Sequence, residues 1–545
     1  MWAVPGLGTL AVTLAGVGRA QLWRDELATW SAATRPVRDL VRLAGTIDAA
    51  TGPYYLFMHA WTALAGTSPT ALRLPSALAM AGAAALTARL GARLVGDRAG
   101  LLAGLLFAVL PGTSRYGQEA RPYAAATLLA VLATLLLVEA LRRPGWRWFT
   151  GYALAVAALG LTHLIALTLL AAHGLVVLLA AGRGPAAAGL APPDPRQPAD
   201  PADLPPTGHR PAADPALGDP AASAAARDPA AGDPAAGGPA AGGPAAGSAD
   251  LSTATGRARR HPGGRGLLWR WLIALLPAVL LVAPLVLLAR GQRSRQLNWV
   301  DLARLPDLSA LPGGVAQSGV VGGLLVGLAA LGAGRLGRRA LLPAAAVLLP
   351  VLLLYAAGTA QPLWVTRYLV FTVPFTCLLA GAALAGVRLA PALAVVTLAG
   401  LLGLPDQAAL RRTHEWPRTA PIDYAGAARV IAGQARPGDA IVFSPRRSWL
   451  FLDLGIAYHL GSREPRDVLV VRDERQRADL WASECDRPAE CLAGARRVWL
   501  VVSGRRDDPL AAVGGAKGAA LRDGFAVTTV APRPGLTVAL LTRRG

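Results

Sequence analysis

Charge, cysteine and lysine are all scarce in this chain. Asp, Glu, Lys and Arg make up 16% of its 545 residues, against roughly 25% in an ordinary soluble domain. That shortage excludes a chain that is soluble throughout. Together with 53% hydrophobic residues and a mean hydropathy of +0.41, it points to a polytopic α-helical membrane protein. Three cysteines are too few for a disulfide scaffold. No CxxC pair, HExxH, Walker loop or dinucleotide fingerprint occurs. No metal site follows from ligand spacing, so no cofactor is assigned, and a divalent cation stays open. Lys517 is the only lysine, so arginine carries almost all of the net charge of +21. The arginines lie mostly at the ends of apolar segments and form no recognition motif. That excludes nucleic acid as a partner and suits lipid headgroups or phosphates. Residues 1–18 lack a basic n-region, and the apolar pattern continues after them, so they read as a span rather than a signal peptide.

A spanning helix needs roughly 20 apolar residues. Eleven segments are candidates: 2–18, 74–95, 99–114, 122–141, 147–162, 164–181, 267–289, 318–334, 340–358, 366–387 and 389–404. The stretch 53–66 is apolar but short and aromatic, and reads as a helix lying along the membrane interface. With the N-terminus inside, the turns holding Arg89, Arg93 and Arg98, then Arg142, Arg143 and Arg147, then Arg335, Arg338, Arg339 and Arg388, are cytoplasmic, as the positive-inside rule expects. Arginines in the external loops, such as Arg24, Arg35, Arg115, Arg121 and Arg367, are mixed with acids. That pattern weakens the rule but fits a site for an anionic lipid.

Residues 1–183 and 267–404 thus read as two transmembrane parts. Between them, 184–266 is Pro/Ala/Gly-rich with almost no large apolar residues, and is expected to be a disordered cytoplasmic loop. Residues 405–545 read as a small α/β domain, with a helix over Ala425–Ala435 and strands over Ala440–Phe443, Asp467–Arg472 and Arg497–Ser503. Phe525–Val530 and Leu536–Thr542 read as a terminal hairpin. Eleven spans put this domain outside, where Cys485 and Cys491 could form a disulfide; with one span fewer they would be reduced thiols. Cys377 reads as core packing.

Four polar clusters fall on the external side. Asp25-Glu26 directly follows the first apolar segment. Ser114–Tyr123 contains Arg115, Glu119, Arg121 and Tyr123. His163 ends the fifth span, and Arg367-Tyr368 opens the tenth. Charge at such depth is costly and usually faces a polar cavity or a substrate path. Each cluster also has a plainer explanation. The acidic pair could be the first turn of a surface helix. Arg115 and Arg121 could anchor helix ends by snorkelling. His163 is more often a packing residue than a catalyst, and Tyr116, Tyr123 and Tyr368 would suit an aromatic belt. Their convergence on one face is what argues for a site.

Leu22-Trp23-Arg24-Asp25-Glu26, Gly52-Pro53-Tyr54-Tyr55, Arg73-Leu74-Pro75-Ser76 and Tyr116-Gly117-Gln118-Glu119-Ala120-Arg121-Pro122-Tyr123 resemble, in order and spacing, the GT-C glycosyltransferases of the protein-O-mannosyltransferase and aminoarabinose-transferase superfamily. The resemblance covers the membrane region to about Leu404. It implies a plasma-membrane enzyme that moves a sugar, with a mannose-like one favoured, from a polyprenyl-phosphate donor. The acceptor would be an extracytoplasmic protein, glycolipid or wall polymer. It also implies that the acidic pair of the first external loop is Asp25 and Glu26. The aminoarabinose branch has an Arg shortly after the pair, where this chain has Ala28 and Thr29, and a Lys where it has Gly52. The donor sugar is therefore open. On the chemistry of the residues, Asp25 is the expected general base, with Glu26 orienting the acceptor or tuning Asp25 by like charge. Arg121, Arg367 and Arg115, in that order, are the expected phosphate ligands. Glu119, His163, Tyr123 and Tyr368 complete the expected binding site. A lipid or sugar transporter would share the spans and the buried charge, but no inverted repeat is visible. A membrane scaffold whose outer domain binds the cell wall is a third reading.

Overall fold

The structure is a computed structural model and describes residues 1–184, 186, 188–190, 264–415 and 419–545. The expected low-complexity loop at 184–266 lies outside the described residues over 191–263. Each of the eleven apolar segments is helical: Ala3–Leu14, Pro69–Leu94, Asp97–Val109, Tyr123–Arg142, Trp146–Thr162, Leu164–Arg183, Gly264–Gln296, Gly319–Leu336, Leu341–Ala360, Thr366–Ala385 and Leu389–Leu410. Among the described residues, seven helical stretches are long and apolar enough to cross a membrane by length and composition. One of them, Gly319–Ala360, runs two helices together, and Ala3–Leu14 is apolar but short.

Lipid is as apolar as leucine, so helices in a membrane associate through close packing rather than by burying oil from water. Small residues permit it here. Gly91 and Gly100 face each other, and a Cβ at Gly100 would lie 2.2 Å from the Ala88 carbonyl oxygen. The segment between the first two spans folds into three short helices, Arg24–Ala33, Val37–Thr46 and Gly52–Ala65. The last falls on the stretch 53–66, expected to be helical.

The C-terminal region is α/β. Strands β1 (Ala440–Ser444), β2 (Arg466–Asp467), β3 (Val470–Arg472), β4 (Ser483–Glu484), β5 (Arg497–Ser503), β6 (Phe525–Arg533) and β7 (Leu536–Arg543) follow in chain order. The main sheet has the order β2-β1-β5-β7-β6, and β3 pairs with β4 apart from it. β1 runs parallel to β2 and β5, whereas β7 is antiparallel to β5 and to its hairpin partner β6. The expected single strand Asp467–Arg472 is therefore broken in two. The Asp467 carboxylate accepts from Arg446 and from the Leu469 N–H, a local bond that competes with the ladder.

Side chains alternate across a strand, so the sheet serves two cores. Ala440, Val442, Val498, Leu500, Ala539 and Leu541 close the domain's own interior. Ile441, Phe443, Trp499, Val501, Val538 and Leu540 belong to a second core. That core also takes in Leu22, just before the first short helix, Leu27, Leu40, Tyr55 and Met58 from the short helices, and Tyr424, Phe451 and Trp481 from the C-terminal region. The segment between the first two long apolar helices and the C-terminal region thus share one apolar interior, and this brings together residues more than 400 positions apart.

Candidate active site

Asp25 and Glu26 occupy the first turn of the helix Arg24–Ala33, and consecutive residues on a helix point about 100° apart. Glu26 turns inward and is fully buried. Arg73, also fully buried, grips it with Nε to Oε1 at 2.8 Å and Nη2 to Oε2 at 2.6 Å. The remaining Arg73 donors go to the carbonyls of Val17, Ala20 and Gln21. Glu26 also accepts the Ala120 N–H at 2.9 Å and the Trp23 N–H at 3.3 Å. Burial works to raise its pKa, but Arg73 and then His414 overcome that and hold it far below the usual carboxylate range. Glu26 is thus placed otherwise than expected. It is a buried anchor that does not line the cavity, because every one of its lone pairs faces protein.

Asp25 turns the other way, into a cavity of about 370 Å³ that it lines with Arg24, Asp48, Arg121, Arg367 and Tyr368. Its Oδ2 lies 3.5 Å from Arg367 Nη2 and accepts no hydrogen bond among the described residues. Arg367 is steered by its Nε, which donates to Tyr123 OH at 3.0 Å. Arg121 donates from Nη1 to Tyr55 OH at 3.3 Å, and its buried Nε has no partner among the described residues. Tyr55 in turn donates to Asp48, which Thr51 and Gln296 also hold. The two arginines are therefore oriented by phenols and keep unspent N–H groups at the cavity.

An adjoining groove is lined by Arg121, Tyr123, His163 and Tyr368, by the apolar Leu164, Ile165, Val286, Ala289 and Leu363, and by Arg290, Arg293 and Gln296. His163 packs edge-on against Tyr123 and Tyr368, with ring centroids 5.7 and 5.4 Å away. Its Nδ1 is buried with no partner among the described residues.

Arg115 and Glu119 lie elsewhere. They form an ion pair at 3.0 Å in a neighbouring cavity of about 640 Å³, which Trp23, Trp299, Glu415 and Arg367 also line. Arg115 further donates to the His414 carbonyl and stacks over the Trp23 ring at 5.1 Å. Burial, with the charges of Glu26 and Asp25, raises the Glu119 pKa against the pull of Arg115. Burial raises Glu415 to about 7, with Arg24 opposing and Asp25 adding to it. Burial, Arg115 and Arg73 lower His414 to about 3, so it stays neutral beside Glu26. Among the described residues no cluster of three or more His, Cys, Asp or Glu side chains could hold a metal ion.

Asp25, Arg121, Arg367 and Tyr368 therefore meet at one cavity, with Tyr123 and His163 at its edge. Glu26, Arg115 and Glu119 do not enter it. Sequence reasoning missed Asp48, Gln296, Trp299, Glu415, Trp449, Phe451 and Leu480. None of them stands in a recognisable pattern, and the last three arrive from the C-terminal region through the shared core.

Comparison with known proteins bears on the fold. Residues 52–187 match the family model of dolichyl-phosphate-mannose-protein mannosyltransferase. No curated protein matches the chain. Among solved structures, ArnT from Cupriavidus metallidurans in the apo state has a TM-score of 0.55 at 12% identity, covering 99% of this chain and 97% of that one. ArnT from the same organism bound to undecaprenyl phosphate has a TM-score of 0.53 at 12% identity, covering 99% of this chain and 98% of that one. The chain has the GT-C fold, a helical membrane bundle with a C-terminal α/β region.

Proposed function

We propose, from the premise of a GT-C fold, that this chain is a plasma-membrane glycosyltransferase that moves a sugar from a polyprenyl phosphate to an acceptor hydroxyl on the extracytoplasmic side, inverting the anomeric centre. The observation that carries the reading is one cavity holding a loosely engaged carboxylate, Asp25, opposite two phenol-steered arginines, Arg121 and Arg367. The solved relative bound to undecaprenyl phosphate supports a polyprenyl-phosphate donor. The family match over 52–187 supports a mannose-like sugar. A protein, a glycolipid and a wall polymer are the acceptors in view.

The chemistry follows from the residues. The acceptor oxygen attacks the anomeric carbon while Asp25 takes its proton. The bond from that carbon to the phosphate oxygen breaks, and polyprenyl phosphate leaves with the electron pair. The leaving group is already an anion, so it needs cationic donors rather than a general acid. Arg121 and Arg367 supply planar, charge-assisted hydrogen bonds to its oxygens. The groove shared by Tyr123, His163, Ile165 and Val286 has an apolar lining suited to the first isoprene units, with Arg290 and Arg293 also lining it. Glu26, locked to Arg73, acts by fixing the helix that carries Asp25.

The test is transfer of label from undecaprenyl-phosphate mannose by purified protein. Asp25→Asn keeps size and polarity but cannot accept the proton, so turnover is expected to fall by roughly 100-fold or more. Binding of undecaprenyl phosphate should be unchanged. Near-normal turnover in Asp25→Asn would remove that residue from the mechanism.

A further inference from the structure

We propose that Trp449, in the C-terminal region, is the sugar-reading wall of the Asp25 cavity and stacks on the apolar C–H face of the donor's sugar ring. The proposal rests on the donor reading above and deepens it.

The cavity has two kinds of lining. Asp25, Asp48, Arg121 and Arg367 supply the polar groups, and Trp449, Phe451, Leu480 and Trp299 the apolar ones, with Trp299 lying 5.3 Å under the Arg367 guanidinium. A sugar ring has the same division, with a rim of hydroxyls and a face of C–H bonds. With phosphate on the arginines and the anomeric carbon near Asp25, the ring would meet both kinds of lining in the same cavity. Small-molecule sites are commonly built this way, with an aromatic wall and a few placed polar groups.

The aromatic wall is held firmly. Trp449 is half-buried and meets Trp481 edge-on at 4.8 Å and Phe451 edge-on at 5.9 Å. Phe451 lies nearly parallel to Trp481 at 5.6 Å, and both are almost fully buried. The turn carrying Trp449 is tied at several points. The Phe451 N–H and Trp481 Nε1 donate to the Ser448 carbonyl, at 3.2 and 2.9 Å. The Leu450 N–H donates to Ser448 Oγ at 3.2 Å, and Tyr424 OH donates to the Leu450 carbonyl. Phe451 adopts φ 46°, ψ 50°, a left-handed conformation that is rare for an aromatic residue and persists only where the surroundings impose it. Phe451 and Trp481 are thus positioning residues, and Trp449 is the ring whose outer part stays open to the cavity.

The experiment compares affinities of the purified full-length protein for bare undecaprenyl phosphate and for the same lipid carrying mannose, glucose or arabinose. At least one sugar-linked lipid should bind more tightly than the bare one. Trp449→Leu and Trp449→Gln, which leave no ring, should each weaken that lipid roughly two- to tenfold, the scale of one aromatic stacking contact, and leave the bare lipid unchanged. Trp449→Phe should retain most of the discrimination, and Trp449→Met, bulky but without a ring, replaces the other two if they fail to fold. Equal weakening of bare and sugar-linked lipid, no weakening of either, or no preference for any sugar-linked lipid in the unmodified protein would each overturn the proposal. Initial transfer rates separate this from the activity. Sugar-dependent binding that Trp449 controls, without any transfer, would remove the transferase reading and keep the wall.

Discussion

Asp25 and Glu26 are neighbours in sequence and part company in space. Glu26 and Arg73 are both fully enclosed, so removing one partner leaves an uncompensated buried charge. Arg73→Met is expected to destabilise the protein by about 3–5 kcal/mol. The double variant Glu26→Gln/Arg73→Met should recover part of that loss in thermal unfolding in detergent, and a double variant no more stable than Arg73→Met would contradict the pairing. Glu415 makes a prediction in pH. Its pKa rises from 4.5 to about 7 on folding, so the folded protein keeps a proton that the unfolded chain has released. The stability linked to this group is fully present below pH 4.5, falls as pH rises towards 7 and is constant above. Glu415→Gln should remove up to about 3 kcal/mol of that pH-dependent fall, read as the difference from the unmodified protein, since Glu464 is also raised to about 7 by burial and by Asp467. An identical slope in the variant would place the titration elsewhere.

At the scale of elements, the apolar pattern identified the helices because length and hydrophobicity suffice for a span. The strand Asp467–Arg472 misled because its only fully buried residue, Leu469, sits at the break between β2 and β3. The core shared by the first short helices and the C-terminal region has a direct consequence. Truncation after residue 410 would bare Leu22, Leu27, Leu40, Tyr55 and Met58 and remove one wall of the Asp25 cavity. The truncated protein should lose monodispersity in size-exclusion chromatography and bind no undecaprenyl phosphate. A monodisperse truncation with unchanged thermal stability would show that the core is not shared energetically.

At the scale of the whole molecule, Arg93, Arg142 and Arg335 donate to backbone carbonyls or pair with Glu139 at the helix ends expected to face the cytoplasm. Cys485 and Cys491 are bonded to each other. If the C-terminal region lies outside the membrane, both thiols in intact cells should resist alkylation until reductant is added, and a C-terminal tag should be open to external protease. A tag cleaved only after lysis would reverse the orientation.

The sequence alone determined the class of the molecule, its helices, the hairpin and the stretch that carries Asp25, because these depend on composition and on patterns a few residues long. It also contained the residues that knit the site's frame: Glu26, Arg73, Ser76 and Ala120 all stand within the recognisable motifs, and they bond to one another or to that frame. Only the tertiary structure decided which of two adjacent carboxylates faces the cavity, which arginines keep free donors, and that a tryptophan more than 400 residues away completes the wall. The reason is physical. A side chain's direction at a helix start and the burial of a distant loop are set by a core assembled from both ends of the chain, and no local pattern records that assembly.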